Sequence, residues 1–424
     1  MASPEPVGEG LKPSEKKALA ELRLKLEEAI SANQLLSPPP PEKSKNRVTD
    51  SSPSPDQDPQ DGAALWGVPL LPSRGHDGTD AILLKFLRAR EFRPSEALEM
   101  LQKALRWRRD FGIDAAAAAE VEIGLPEVRA ATYMNGVDRD GHPVCYNSYS
   151  VFKRKDLYRT AFGSEETREK FLRWRVQFME TGIRQLSFKP GGVASMIQVI
   201  DLKDSMSSSM KEIRSMVKKL ALIFQDNYPE FVAKYIFINV SFRYYACHAL
   251  FSELFTQRTK NKFVFARPNK VTETLLRFIA PERIPIQYGG LHREDDEEFS
   301  PENGKVSERV LKANGSTTVE IPVVEPGVTV VWDLAVVGWD VYYKEVFIPD
   351  DECSYEVLIQ KEQKLEENVR NSFYINEPGK VVLTIDNRTY KRKRILYRSK
   401  SKPTIPLYNM LSHPVVKSRK SKSY

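Results

Sequence analysis

At 424 residues, 41% hydrophobic and 10% aromatic, the chain can bury the cores of two or three domains, which excludes a fibrous or wholly disordered polypeptide. Three scattered cysteines, Cys145, Cys247 and Cys353, argue against a disulfide framework and fit a reducing compartment, and the five dispersed histidines form no metal-ligand spacing. The net charge of +7 is local: twelve of the 64 Lys and Arg lie from Arg388 onward, where there is no Asp or Glu, leaving 52 basic against 57 acidic residues elsewhere.

A basic tract of this kind meets nucleic acid, an anionic membrane or solvent. MASPEPVGEG has no apolar h-region and no glycine at position 2, and KSKSY is not a prenylation box. No uncharged run reaches transmembrane length, so the expectation is a cytoplasmic chain.

Residues 14–36 read as a helix, with Leu19, Leu22, Leu26 and Ile30 at helical spacing and Ser14 as its cap. Residues 37–62 are Pro, Ser and charge without apolar groups, a linker that cannot form a core. Asp80 is placed as the cap of a helix carrying Ile82, Leu83, Phe86, Leu87 and Phe92. Pro94 opens the next, with Leu98, Leu101, Leu105 and Phe111 as its stripe and Gly112 as its stop. Arg88, Arg90 and Arg93 read as a solvated basic face.

From about residue 128 strand and helix alternate. PVCYNSY, SMIQVIDL, YIFINV and KFVFA are strands, and residues 164–186 and 210–230 are helices, which predicts a largely parallel sheet. A further helix spans residues 271–279. The acidic run from Asp295 to Glu298 reads as a solvated hinge. Beyond it, seven strand-like runs with turns at Pro326-Gly327 and Glu377-Pro378-Gly379 suggest a β-sandwich. Its last hairpin puts Arg388, Lys391, Arg392, Lys393 and Arg394 at or near the tip, as a candidate membrane contact, and a basic tail starts at Ser401.

The stretch from Phe242 to Thr256, between two of these strands, is apolar on nearly every side; only Arg243, His248 and Glu253 interrupt it. At about 15 residues it is too short to span a bilayer, which needs about 20. Such a helix is a buried crossover or meets something greasy on its outer face. The second reading makes it a lid over a lipid-sized cavity, with Phe242, Tyr245, Ala249, Leu250, Phe251, Leu254 and Phe255 as its apolar residues.

No GxxxxGK[ST] phosphate loop, GxGxxG after a strand, GxSxG elbow or HExxH is present, and nothing near Asp201 supplies a nucleophile, which argues against an enzyme. The basic tract lacks the interleaved aromatics of a single-strand platform, which argues against nucleic acid. Lipid binding accounts for more: a cavity that buries acyl chains gains about 25 cal/mol per Å², and a phosphorylated headgroup needs cations at its mouth.

Several motifs in order also resemble a known family. LLKFLRAREF with ALRWRRDFG resembles the N-terminal helical segment of CRAL-TRIO lipid-transfer proteins, and EKKALAELRLKLEEA the helix before it in yeast phosphatidylinositol-transfer relatives. DRDGHPVCY, VIDLK, FQDNYPE, KYIFINVSF and PIQYGG resemble the lipid-binding domain, and VVWDLAVVGWDVYYKEVFIP with LTIDN resembles a GOLD domain. The pair, preceded by a Pro-rich acidic segment and WGVPLL, is similar to the plant patellin arrangement.

The resemblance implies a multidomain chain: an N-terminal helix and linker over 1–63, a CRAL-TRIO helical segment over 64–118, the α/β lipid-binding domain over 119–292, an all-β GOLD sandwich over 303–400 and a tail over 401–424. It implies a non-enzymatic, peripheral membrane protein that binds phosphoinositides in a gated pocket and acts in membrane traffic, including cell-plate formation at cytokinesis. No cofactor is implied; the ligand is a phospholipid, phosphatidylinositol or its phosphates. Partners implied are an anionic membrane surface and proteins bound by the GOLD domain, which leaves a non-transferring scaffold as the alternative. By position, the family's headgroup contacts fall on Arg90, Glu230, Thr259 and Lys262. Arg90 and Lys262 would pair with phosphate, Thr259 would donate a hydroxyl hydrogen bond, and Glu230 would take inositol hydroxyls or hold a cation. The basic residue that follows LRAR in the yeast relatives is Glu91 here, and a carboxylate beside a phosphate weakens the site.

Overall fold

The computed structural model describes residues 10–36, 64–113, 126–203, 211–241, 257–300 and 304–404. The chain falls into two compact units, Met1–Pro268 and Asn269–Tyr424.

The first unit begins with helix α1 (Pro13–Ser31), shorter than the sequence pattern suggested. Its cap is Lys12 rather than Ser14: Pro13 occupies the first turn, and the Glu15 carboxylate accepts from the Lys12 amide at 2.9 Å. Asn33 takes φ +52°, a left-handed conformation that Asn tolerates, and ends the helix. A two-strand hairpin, β1 (Ala64–Leu65) and β2 (Val68–Pro69), precedes α2 (Thr79–Ala89) and α3 (Pro94–Phe111). Asp80 is not the cap of α2, which is Gly78; its carboxylate is paired with Arg23 of α1 instead. Gly112, at φ +72°, stops α3 as expected. Leu22 and Leu26 of α1, Phe86 of α2 and Leu101 of α3 are fully buried in one core. Each such side chain contributes about 1.5–3 kcal/mol.

A five-stranded sheet follows in the order β3 (Thr132–Val137), β4 (Pro143–Ser148), β5 (Met196–Asp201), β6 (Val232–Ile238), β7 (Phe263–Phe265). The first pair is antiparallel and the other three are parallel, as the alternation predicts. Helices α4 (Lys155–Phe162) and α5 (Glu165–Arg184) link β4 to β5, and α6 (Lys211–Asn227) leads into β6. Ser164 caps α5 by accepting from Thr167 N at 3.1 Å. A second core joins Phe162 of α4, Phe171 and Trp174 of α5, and Ile213 and Leu220 of α6.

A buried network ties the hairpin to the helices. Glu180 of α5 accepts from Arg108 of α3, from Tyr228 OH at 2.6 Å and from Trp66 Nε1 at 3.3 Å. Four segments far apart in sequence thus share one carboxylate, and each buried donor finds an acceptor.

The second unit opens with α8 (Val271–Leu275), numbered after α7 (Gln257–Lys260) of the first, and is shorter than the helix expected over 271–279. Gly289 and Gly290 follow; a Cβ on Gly290 would lie 2.0 Å from the Ile284 carbonyl oxygen, so only glycine fits there. Eight strands then form two four-stranded antiparallel sheets. One is β13 (Val369–Ile375), β10 (Val328–Val337), β15 (Lys393–Pro403), β8 (Ser307–Leu311). The other is β12 (Val357–Lys364), β11 (Tyr342–Pro349), β14 (Gly379–Asn387), β9 (Gly315–Val323). Seven runs were expected; the eighth strand, β8, buries one residue of five, Leu311, and so carries almost no apolar signal. Strand β15 continues to Pro403, past the expected start of the tail at Ser401.

Trp332 and Tyr343 fill the sandwich core around a fully buried Glu345. That carboxylate accepts from Trp332 Nε1 at 3.0 Å, Tyr343 OH at 2.7 Å and Asn371 Nδ2 at 2.7 Å. Burial and the Glu345 charge raise the Tyr343 pKa, so its hydroxyl stays a donor.

The acidic hinge is a correction. Asp296 is not solvated: it accepts from Arg370 Nη1 at 2.7 Å and Nη2 at 2.8 Å, and from Arg398 Nη2 at 3.2 Å. The same two arginines hold the buried Asp333 of β10. Glu298 is bridged by Lys400 at 2.8 Å and Lys402 at 2.5 Å. Asp295 and Glu297 are exposed as expected, whereas Asp296 and Glu298 fasten the run to the sandwich by paired charges.

Candidate functional site

The chain turns at the end of NYPE, where Glu230 adopts φ +58° before entering β6. That turn points its carboxylate at α7 and the short link from it to β7. Glu230 Oε1 accepts from Arg258 Nε at 2.9 Å, and Oε2 accepts from Lys262 Nζ at 2.9 Å. Lys262 also donates to the Val232 carbonyl at 2.9 Å. From α2, Lys85 Nζ donates to the Glu230 carbonyl at 3.0 Å and to the Ala194 carbonyl at 2.6 Å, over the Phe231 ring at 4.1 Å. Three cations therefore converge on one residue.

The electrostatics follow from burial. Burial alone would raise the Glu230 pKa, but Lys262 and Arg258 outweigh it and hold the carboxyl below its ordinary value. Burial lowers the Lys262 pKa, against the pull of Glu230. Lys85 is fully enclosed, and burial brings its pKa down to about 7, with Glu230 opposing and Lys262 and Arg88 adding to the fall. Cations outnumber the carboxylate here, which is the charge balance an anion needs.

Beside this cluster runs an aromatic face of the sheet. Gln198, Tyr235 and Phe263 are register partners across β5, β6 and β7, as are Ile200, Phe237 and Phe265. The rings touch: Tyr235 and Phe263 centroids are 5.5 Å apart, and those of Phe237 and Phe265 5.2 Å. All four rings are half-buried. The Tyr235 amide donates to the Lys262 carbonyl at 3.0 Å, which places the aromatic face next to the charged cluster, and burial and the Glu230 charge raise the Tyr235 pKa.

Of the four headgroup candidates, Glu230 and Lys262 are brought together. Arg90 is the C-cap of α2; its guanidinium donates to the Ala89 carbonyl at 3.2 Å, and no described contact joins it to the pair. Thr259 lies on α7, and its side chain is outside the described residues. The lid candidates Phe242, Tyr245, Ala249, Leu250, Phe251, Leu254 and Phe255 also lie outside them. Glu91 is exposed and paired with Arg93 at 2.9 Å. Lys85 and Arg258 were missed: a lone lysine in AILLKFL gives no signal until Ala194 and Glu230 supply its acceptors.

The hairpin candidates divide. Arg388 is committed to Asp386 at 2.7 Å and Glu362 at 2.9 Å and stacks on Tyr342 at 3.7 Å. Lys393 is buried and donates to the Gly338 and Trp339 carbonyls, and Arg394 pairs with Glu308 at 2.9 Å. Lys391 and Arg392 are exposed beside Tyr390, which is 90% exposed.

Asp138, Asp140 and His142 in the β3–β4 turn place three ligand-type atoms within 4.8 Å of one another. Asp138 accepts there from the Asp140 and His142 amides at 2.9 and 2.7 Å, so the group closes the turn. Among the described residues no helix is long and apolar enough to cross a membrane.

Comparison with known proteins gives three domain matches: a CRAL/TRIO N-terminal domain over residues 18–103, a CRAL/TRIO domain over 129–290 and a Patellin-1-like C-terminal GOLD domain over 312–393. Patellin-4 of Arabidopsis thaliana is 53% identical over 341 residues, 80% of this chain and 61% of that protein. Patellin-6 of the same plant is 42% identical over 389 residues, 91% of this chain and 86% of that protein. The phosphatidylinositol transfer protein SFH5 of Kluyveromyces lactis is 28% identical over 247 residues, 57% of this chain and 79% of that protein.

Proposed function

The chain belongs to the patellin family, and on that premise we propose that it binds a phosphoinositide in its first unit and carries or presents it at membranes. The observation that supports this most is the meeting of Lys85, Arg258 and Lys262 at Glu230, beside the half-buried rings of Tyr235, Phe237, Phe263 and Phe265. A phosphate oxygen reaching Lys262 exchanges one charge-assisted hydrogen bond for another. Arg90 then takes a second phosphate oxygen, Thr259 donates its hydroxyl, and Glu230 turns to inositol hydroxyls. Acyl chains lie along the rings, and residues 242–256 are assigned the lid on their sequence alone.

This is a binding and transfer activity rather than catalysis, placed at the cytoplasmic surface of membranes, in membrane traffic and in cell-plate formation. Lys391 and Arg392 contact the anionic leaflet, at roughly 1 kcal/mol each. A second reading, a scaffold that recruits proteins through its GOLD sandwich, is favoured by one observation: β12 is an edge strand with Val357 and Leu358 exposed.

Transfer of labelled phosphatidylinositol between vesicles, wild type against Arg90→Ala/Lys262→Ala, separates the two. Transfer by wild type and its loss in the double variant supports the pocket. Absent transfer, with salt-sensitive sedimentation on anionic vesicles in both proteins, supports the scaffold.

A further inference from the structure

Arg175 of α5 is buried, at 6% exposure. Its one described hydrogen bond runs from Nη2 to Asn147 Oδ1 on β4, at 2.8 Å. Nε and Nη1 are enclosed, with no acceptor among the described residues. The guanidinium carbon lies 5.7 Å from the Trp174 ring and 5.9 Å from the Phe178 ring. Among the described residues no carboxylate pairs with it.

A guanidinium is always charged and carries five N–H donors. Burying it with donors unmet is costly, and native chains rarely leave such groups without a reason. Here the surroundings suggest one. Asn147, which holds Arg175, donates to Gln198 Oε1 at 2.8 Å. Gln198 is the register partner of Tyr235, and Tyr235 of Phe263. Arg175 therefore sits at the polar end of the sheet face that continues as the half-buried aromatic rings. It is separate from the Glu230 cluster: no described contact joins the two.

We propose that Arg175 is a second polar anchor within the first unit, for an anionic oxygen of a lipid-sized amphiphile whose apolar part lies along Tyr235, Phe237, Phe263 and Phe265. A phosphodiester and a fatty-acid carboxylate offer the same oxygen chemistry. The inference rests on the lipid-binding reading above and adds a binding residue that the Glu230 cluster does not contain.

The test uses the full chain as wild type, Arg175→Met and Arg175→Lys. Each is incubated with phosphatidylcholine vesicles containing phosphatidylinositol, oleic acid or diacylglycerol, then re-isolated, and bound lipid is counted by mass spectrometry. Expected is a loss of tenfold or more of anionic lipid in Arg175→Met, with diacylglycerol retention unchanged and part of the loss restored in Arg175→Lys. Selective loss of phospholipid identifies the phosphodiester, and selective loss of oleate the carboxylate. Thermal unfolding without lipid guards against a purely structural effect. Removing an unpaired buried charge leaves Arg175→Met melting at or above wild type, and only wild type gains a large shift on loading. Equal lipid retention by wild type and a folded Arg175→Met overturns the anchor, as does a lipid-free Arg175→Met that melts far below wild type. Failure of wild type to retain any lipid overturns the lipid-binding reading, and the anchor with it.

Discussion

The Lys262 ammonium and the Glu230 carboxylate lie 2.9 Å apart across 32 residues of chain, and Arg258 holds the other oxygen of the same carboxylate at 2.9 Å. Replacing Lys262 leaves Glu230 with one partner, so the fold should persist. It removes a charge-assisted hydrogen bond to phosphate, worth about 1.5–3 kcal/mol. Lys262→Ala is expected to retain phosphatidylinositol about tenfold or more less well than wild type while unfolding at nearly the same temperature. Unchanged retention would remove Lys262 from the headgroup site.

Glu180 gathers Arg108, Tyr228 and Trp66 into one buried network. Glu180→Ala breaks the buried pair with Arg108 and removes the acceptor that Tyr228 and Trp66 share, and breaking a buried pair typically costs about 3–5 kcal/mol. Denaturant unfolding of the full chain should show the first unit's transition displaced by that amount. A displacement under about 1 kcal/mol would mean that water replaces the carboxylate.

Asp296 gives the second unit a sign-definite pH dependence. Burial alone would raise its pKa, but Arg370 and the amides of Phe299 and Glu298 hold it well below the ordinary 3.8. A carboxyl depressed on folding contributes stability that is fully present above its unfolded value and is lost as pH falls through the folded one. The second unit should therefore lose stability progressively below about pH 4. Asp296→Asn should flatten that dependence and leave Arg370 and Arg398 to share Asp333. An unchanged acid profile in the variant contradicts the Asp296 pairing.

The basic hairpin should respond unevenly. Lys391→Glu/Arg392→Glu should weaken sedimentation with anionic vesicles, since each cation near the leaflet contributes about 1 kcal/mol. Arg388→Ala should change it little, because Asp386, Glu362 and Tyr342 already occupy that side chain. Equal effects from both variants would show that the tip is not the contact.

Where local chemistry decides, the sequence was readable. Pro94 and Gly112 bound α3, and the strand–helix alternation from residue 128 produced the largely parallel sheet. Where a distant partner decides, it was not. Asp80 has the composition of a cap, but Arg23, 57 residues away, takes its carboxylate. Asp296, in the run from Asp295 to Glu298, looks solvated until Arg370 and Arg398 arrive from 74 and 102 residues on. The charged site was legible only in part. Glu230 and Lys262 came from motif resemblance, whereas Lys85, Arg258 and Arg175 acquire meaning only from the groups around them.

The most direct measurement is the number of phosphatidylinositol molecules held per chain after incubation with phosphatidylinositol-containing vesicles, read by native mass spectrometry. The account predicts one molecule on wild type and a sharply reduced occupancy on Lys262→Ala. An empty wild-type chain, under conditions where it stays folded, would contradict it.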